Sequence, residues 1–187
     1  IEDGFILATM AQNPDVMGYE GVKAAVAVLK GENLGGAVTD TGVSVLKASA
    51  SAAAAPAEVT ANGNYKIALI TMDSIDQHWI TLKEGAEKVA KDLGVDLVFM
   101  APNTKDDAQQ IEQVNNAVAS GCQAIIVAAN GPDAISSALK EAESAGVKIV
   151  YVDSPANVPG EATFSTDNTA AGKTAGETML KALTDKG

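Results

Sequence analysis

Gly94-Val95-Asp96-Leu97-Val98-Phe99-Met100, Gly121-Cys122-Gln123-Ala124-Ile125-Ile126-Val127 and Gly146-Val147-Lys148-Ile149-Val150-Tyr151-Val152 repeat one junction three times. In each, a helix-like run stops at a glycine and an apolar, strand-like run follows. The glycines stand 27 and then 25 residues apart, room for one helix, one strand and two short loops. Glycine suits the position because the residue after a helix end often takes a positive φ.

The runs between junctions carry the helical period. Trp79, Leu82, Ala86, Val89 and Leu93 advance by three or four, as one buried helix face requires, and Ile111, Val114 and Val118 do the same. Asp133 is expected to cap the helix that carries Ile135, Ala138, Leu139 and Ala142. Ahead of the first helix, Tyr65-Lys66-Ile67-Ala68-Leu69-Ile70-Thr71 is apolar enough for a central strand. Continuous apolar strands alternating with helices imply a parallel sheet covered on both faces. The expected fold class is α/β: a doubly wound, parallel, five-stranded sheet in the flavodoxin-like order 2-1-3-4-5. Its strands are expected near 66–72, 96–100, 124–129, 148–153 and 162–166, within a lobe spanning 64–168.

The flanks are less regular. Residues 1–47 read as a strand from Gly4 to Ala11, a helix from Asp15 to about Lys30 and a strand from Gly42 to Lys47. Residues 48–63, Ala/Ser-rich and without period, read as a linker, expected to be loosely packed. Residues 169–187 hold a last helix, from Thr169 to Leu183. Both flanking helices have an apolar face but compete for one slot beside the strand at 162–166. Val22, Ala25, Val26 and Leu29 of the first form a broader stripe than Ala175, Met179 and Leu183 of the second. Burial is therefore expected to dock the first helix on the lobe although the second is joined to the strand directly.

Composition removes several functional classes. All 13 basic residues are lysine and face 24 acidic ones, for a net charge of −11. That balance opposes nucleic acid, which needs a basic face, and anionic membrane surfaces. No apolar run approaches the length of a membrane span. The lone Cys122, expected to be a buried inert thiol, allows no internal disulfide or cysteine-clustered metal site. One histidine, His78, leaves little for triad or metal chemistry, so no enzyme activity, cofactor or metal is expected. Gly172-Lys173-Thr174 resembles the end of a phosphate loop, but Asp167 stands where its first glycine belongs.

In an open parallel sheet, ligands bind beyond the carboxyl ends of the strands. The first lobe strand delivers Asp73, then Asp76, His78 and Trp79; the third delivers Asn130; the fourth delivers Asp153 and Ser154. Three carboxylates, an amide, an imidazole and an indole converge there with no lysine among them, an edge that repels anions. A neutral polyol fits, through carboxylate acceptors and an aromatic face; a small organic cation also fits, through charge and cation–π contact with Trp79. Plainer roles stand beside these. Trp79 begins the apolar helix face and can be core, Asp76 can be a helix cap, and Asp153 can serve a turn. If they bind ligand, Trp79→Ala and Asp153→Ala are each expected to weaken binding by at least about 1 kcal/mol and leave the chain folded.

From Tyr65 to Leu183 the chain resembles the N-terminal lobe of periplasmic sugar-binding proteins of the ribose and galactose type, the type I solute-binding proteins of ABC transporters. The resemblance rests on Lys66-Ile67-Ala68-Leu69-Ile70, Trp79-Ile80-Thr81-Leu82-Lys83-Glu84-Gly85-Ala86 and Ala124-Ile125-Ile126-Val127. It continues in Ile149-Val150-Tyr151-Val152-Asp153 and Ser165-Thr166-Asp167-Asn168. Residues 5–47, with Ala11-Gln12-Asn13-Pro14-Asp15, Gly18, Gly21 and Leu29-Lys30-Gly31-Glu32, resemble the opposite, carboxyl end of the same family.

The resemblance implies a circular permutation, engineered or split, with most of a second lobe absent and residues 169–187 its first helix. It implies a non-enzymatic lobe that binds a monosaccharide or polyol with Asp76, His78, Trp79, Asp153, Ser154 and the hinge residue Gln12. Implied partners are a complementary second lobe on another chain and a membrane permease. The parent protein is expected in the periplasm or outside the cell on a lipid tether, with no signal peptide in this chain. Two residues depart from the family: Ser154 stands where an arginine is common, and His78 where an aromatic is common. A lobe that binds nothing alone, or half of a split sensor, is the competing expectation.

Overall fold

The computed structural model describes residues 8–46 and 64–185. The linker expected at 48–63 lies wholly outside the described residues, as does the first half of the strand expected from Gly4 to Ala11. The elements run β1 (Thr9–Gln12), α1 (Pro14–Leu29), β2 (Ala37–Asp40), β3 (Val43–Leu46), β4 (Lys66–Ile70), α2 (Gln77–Leu93) and β5 (Asp96–Met100). They continue with α3 (Asp107–Ala119), β6 (Ala124–Val127), α4 (Ser136–Ser144), β7 (Lys148–Val152), β8 (Ala162–Ser165) and α5 (Asn168–Thr184). The chain divides into two compact units.

The larger unit contains residues 14–39 and 64–165 of the described chain. Its sheet has the order β2-β8-β7-β6-β4-β5. β4 pairs in parallel with β5 and β6, β6 with β7, and β7 with β8, which is the expected 2-1-3-4-5 arrangement. The sheet has six strands, not five: β2 adds an edge beside β8. All four residues of β2 are exposed, so no burial imprints an apolar pattern on Ala37-Val38-Thr39-Asp40. A backbone bond from Gly36 N to Glu161 O at 3.0 Å leads into this edge. The helix-terminating glycines Gly94, Gly121 and Gly146 take φ of 67°, 79° and 89°.

Alternate strand residues serve opposite faces. Ile67, Leu69, Ile126, Val150 and Val152 pack with Met17, Val22 and Val26 of α1 and with Leu82, Ala86 and Val89 of α2. Ala68, Ile70, Ile125, Val127, Ile149 and Tyr151 pack on the other side with Val114, Ala117, Ile135, Leu139 and Ala142, under α3 and α4. The strands therefore read as unbroken apolar runs. Buried Cys122 joins the second layer. Asp133 does not cap α4: the position before the helix is Ile135, without a side-chain cap. The Asp133 carboxylate is engaged instead by Asn157 Nδ2 at 2.6 Å, across the loop that Pro132 opens.

α1 packs on α2, β6, β7 and β8, as its apolar stripe requires. In α5 no described residue is buried, and Met179, Leu180 and Leu183 are exposed. α5 groups with β1 and β3 in the smaller unit, described residues 8–13, 40–46 and 166–185. There β1 pairs antiparallel with β3, Gln12 opposite Val43. Asp40 Oδ1 accepts from Asp167 N at 3.0 Å and Gly42 N at 2.8 Å, bonds that hold its carboxyl below the usual range. Asp167 caps α5 through Thr169 N and Ala170 N. Gly172-Lys173-Thr174 lies inside α5, not in a phosphate-binding loop.

Candidate functional site

Because β4, β6 and β7 are parallel neighbours, the segments that leave them emerge at one edge of the sheet. After β4, the Asp73 side chain is almost fully buried and folds the segment onto itself. Its Oδ1 accepts from Ile75 N at 3.0 Å and Asp76 N at 2.8 Å, an Asx-type turn. Burial pushes the Asp73 pKa up, but these two bonds, the Lys105 charge and the Trp79 indole more than reverse that, and the net direction is down. The next carboxylate, Asp76, is exposed and caps α2, accepting from His78 N at 2.9 Å. Asp76 therefore has a structural role whatever else it touches.

α2 then presents His78 and Trp79 in succession. Their rings meet edge to face, with centroids 4.6 Å apart. The indole body of Trp79 belongs to the core, with only 4% of the residue exposed. Its Nε1 lies beside the Asp73 carboxylate without reaching hydrogen-bond geometry and is a buried donor lacking a partner. His78 Nε2 stands 3.3 Å from Asp153 Oδ1, also without an aligned bond. Two lone pairs at that separation would repel, so Nε2 carries the hydrogen.

At the end of β7, Asp153 has φ of 59°, the single non-glycine with positive φ among the described residues. Ser154 N reaches back to Val152 O at 2.7 Å, and Asp153 N bonds to Phe164 O at 2.8 Å. Asp tolerates this backbone region better than most side chains. The turn aims its carboxylate at His78, while Oδ2 accepts from Ser154 Oγ at 2.7 Å. The His78 contact is the largest influence holding the Asp153 pKa below the ordinary value; burial opposes it, and Ser154 and Lys105 add to it. Ser154 thus spends its hydroxyl on Asp153. Ser154 O accepts from Ala129 N at 2.8 Å, joining this turn to the end of β6. Asn130, next along, donates from Nδ2 to Asp107 Oδ1 on α3.

Seven of the eight residues read from the sequence, Asp73, Asp76, His78, Trp79, Asn130, Asp153 and Ser154, thus leave the same edge of one sheet. Gln12 ends β1 in the smaller unit. The expectation that no lysine serves the edge is corrected. Lys105, in the loop after β5, acts on both Asp73 and Asp153. β5 ends at the same edge as β4, so the loop from Ala101 to Asp106 belonged on the list of strand ends. Asp107, which opens α3 directly after this loop, was missed for the same reason, whereas Gln110, within the helix, carries no mark in the sequence.

The pKa directions set an acid dependence. Asp73 and Asp153 both titrate below their unfolded values, so the stability they lend is complete above about pH 4 and disappears as pH falls through the folded values. The urea midpoint should therefore fall between about pH 5 and about pH 3, and Asp73→Asn should reduce that slope. An unchanged slope in Asp73→Asn would remove Asp73 from this account.

Residues 67–187 match the family model described as a periplasmic binding protein domain. The ribose import binding protein of Escherichia coli is 30% identical over 135 residues, covering 70% of this chain and 45% of that protein. The D-apiose import binding protein of Paraburkholderia graminis is 31% identical over 131 residues, covering 68% of this chain and 41% of that protein. The chain thus matches less than half the length of these curated relatives. Among solved structures, an arabinose binding protein from Geobacillus stearothermophilus aligns with a TM-score of 0.62 at 25% identity, over 65% of this chain and 42% of that one. A sugar ABC transporter sugar-binding protein from Bacillus halodurans aligns at 0.60 and 27% identity, over 64% and 42%. With a family match across residues 67–187, most of its length, the chain belongs to the periplasmic binding protein family.

Proposed function

We propose that this lobe binds a small neutral polyhydroxylated ligand, a monosaccharide or polyol, at the edge formed by Asp73, His78, Trp79, Asn130, Asp153 and Ser154, without chemical conversion. The observation that carries the reading is the pairing of buried donors with carboxylate acceptors. Trp79 Nε1 and His78 Nε2 are buried donors without aligned partners, each beside a lowered-pKa carboxylate. A sugar hydroxyl both donates and accepts, so a pair of them can satisfy an N–H and a carboxylate together. Buried polar atoms left unpaired are costly, which makes such a ligand stabilising. The relatives named above are import binding proteins for ribose and D-apiose, and a related solute-binding protein from Clostridium phytofermentas holds L-rhamnose.

In this reading the lobe is half of a clamp from an ABC-transporter binding protein of the periplasm. A complementary lobe closes over the ligand, and a membrane permease receives it. Residues 8–46 supply, from ahead of the lobe, the helix and strands that the family carries at its carboxyl end. Packing of α1 on β6, β7 and β8 supports that permuted connectivity. The test is a thermal-shift and calorimetric panel of pentoses, hexoses, polyols and amines, with and without a second-lobe partner. A sugar should raise Tm, and Asp153→Ala should weaken its binding at least about tenfold, as loss of a charged hydrogen bond does. Response to amines alone would replace the sugar reading with the cation reading. Equal sugar affinity in Asp153→Ala would remove this edge as the site.

A further inference from the structure

Behind the site lies a polar side chain that ligand binding does not use. Gln110, on α3, is fully buried. All its side-chain hydrogen bonds leave its own helix. Nε2 donates to Thr71 O at 3.1 Å and to Ala128 O at 2.8 Å, and Oε1 accepts from Asn130 N at 2.9 Å. Those three backbone groups stand where the ladder between β4 and β6 stops. The last ladder-like bond, Ala128 N to Ile70 O at 3.0 Å, lies just before them. Beyond it the two segments separate, one toward Asp73 and the other toward Asn130.

The default occupant of a fully buried helix position is apolar, because a buried amide is unfavourable unless every polar atom is paired. Gln110 meets that condition with two donors and one acceptor, a set only a primary amide side chain supplies at this reach. Thr71 Oγ1 continues the connection, donating to Asp73 O at 2.8 Å. From the other side, Asp107 on the same helix receives Asn130 Nδ2. α3 therefore holds Asn130 by both backbone and side chain, and holds the Asp73 segment through Thr71.

We propose that Gln110 is a positioning residue for ligand binding: it pins the carboxyl ends of β4 and β6 together and so fixes Asn130 relative to Asp73. The proposal rests on the sugar-binding reading of this edge, and its experiment separates the two. Gln110→Met keeps the volume and removes all three bonds; Gln110→Asn keeps the amide but falls one methylene short of its partners.

Two measurements apply to the full chain. Amide hydrogen exchange at Asn130 reports the bond to Oε1 directly, with or without ligand. Calorimetry with whichever sugar raises the wild-type Tm reports affinity, in single variants and in the Asn130→Ala background. In Gln110→Met, exchange at Asn130 should accelerate at least about tenfold more than exchange at Leu69 in the strand, and affinity should fall on the order of tenfold. The affinity loss should shrink in the Asn130→Ala background, since coupled sites are not additive. Gln110→Asn should behave alike and carries the test if Gln110→Met does not fold. A lower Tm with unchanged affinity would make Gln110 merely structural and overturn the proposal; so would unchanged exchange at Asn130. If the wild type binds no sugar of the panel, the binding reading falls and the positioning role falls with it. Accelerated exchange would then identify Gln110 as a structural clamp alone.

Discussion

Gly18→Ala should destabilise the larger unit by about 2 kcal/mol or more, although alanine is the better helix former by about 1 kcal/mol. A Cβ at Gly18 would stand 2.0 Å from Leu82 O, 2.9 Å from Leu82 C and 3.0 Å from Ala86 N. One at Gly85 would stand 2.1 Å from Asp15 O. α1 and α2 thus touch backbone to backbone at two places, one glycine from each helix. These neighbours are main-chain atoms within helices, so neither can swing aside as a flexible side chain would. One methyl group must push α1 off its seat and loosen Met17, Val22 and Val26 from the core.

Gly176→Ala in α5 is the control. Nothing lies within 4 Å of a Cβ there, so the substitution should be neutral or stabilising. Urea denaturation followed by Trp79 fluorescence reads the first, and far-UV circular dichroism over the same titration reads both. If Gly18→Ala matched or exceeded the wild type, the close approach of α1 to α2 would be wrong, and with it the docking of the amino-terminal helix on the lobe.

Trp79→Ala should cost about 3–5 kcal/mol of stability, the usual range for truncating a buried large aromatic. This revises the expectation that the variant leaves the fold untouched and reports binding cleanly. Trp79 is 4% exposed and sits in the core layer with Leu82 and Ala86. Its helical period suggested packing and its place at the strand edge suggested ligand contact; the ring body packs in the core, and Nε1, facing Asp73, is the atom on which the proposed ligand contact rests.

Trp79→Phe separates the two. It retains most of the buried ring, should lose less than about 1.5 kcal/mol of stability, and removes the N–H. Sugar affinity should then fall about tenfold. Wild-type affinity in Trp79→Phe would show the indole N–H to be irrelevant to ligand. A stable Trp79→Ala would show that the ring does not support the core.

The sequence alone determined the parallel lobe, because burial on both sheet faces writes itself into composition. Ala124-Ile125-Ile126-Val127 and Ile149-Val150-Tyr151-Val152 have no polar alternation to confuse with an antiparallel edge, and the glycine after each helix marks where the backbone turns back. Parallel strands in turn send their carboxyl ends to one side, so Asp73, His78, Trp79, Asn130 and Asp153 could be placed together before any coordinates. The apolar stripe of α1 likewise foretold its docking.

Only the tertiary structure decided what packing leaves unmarked in local sequence. β2 is an exposed edge strand whose residues bury nothing, so no period betrays Ala37–Asp40. Gln110 looks like any surface glutamine until three backbone groups from two strands meet it. Lys105 and Asp107 act on the site across segments distant in the chain, and their effect depends on distance in space. The left-handed turn at Asp153 and the near-contact of Gly18 with Leu82 are likewise set by how elements meet. Burial on a regular element repeats and can be read along the chain; a polar contact between elements occurs once, and the chain carries no period for it.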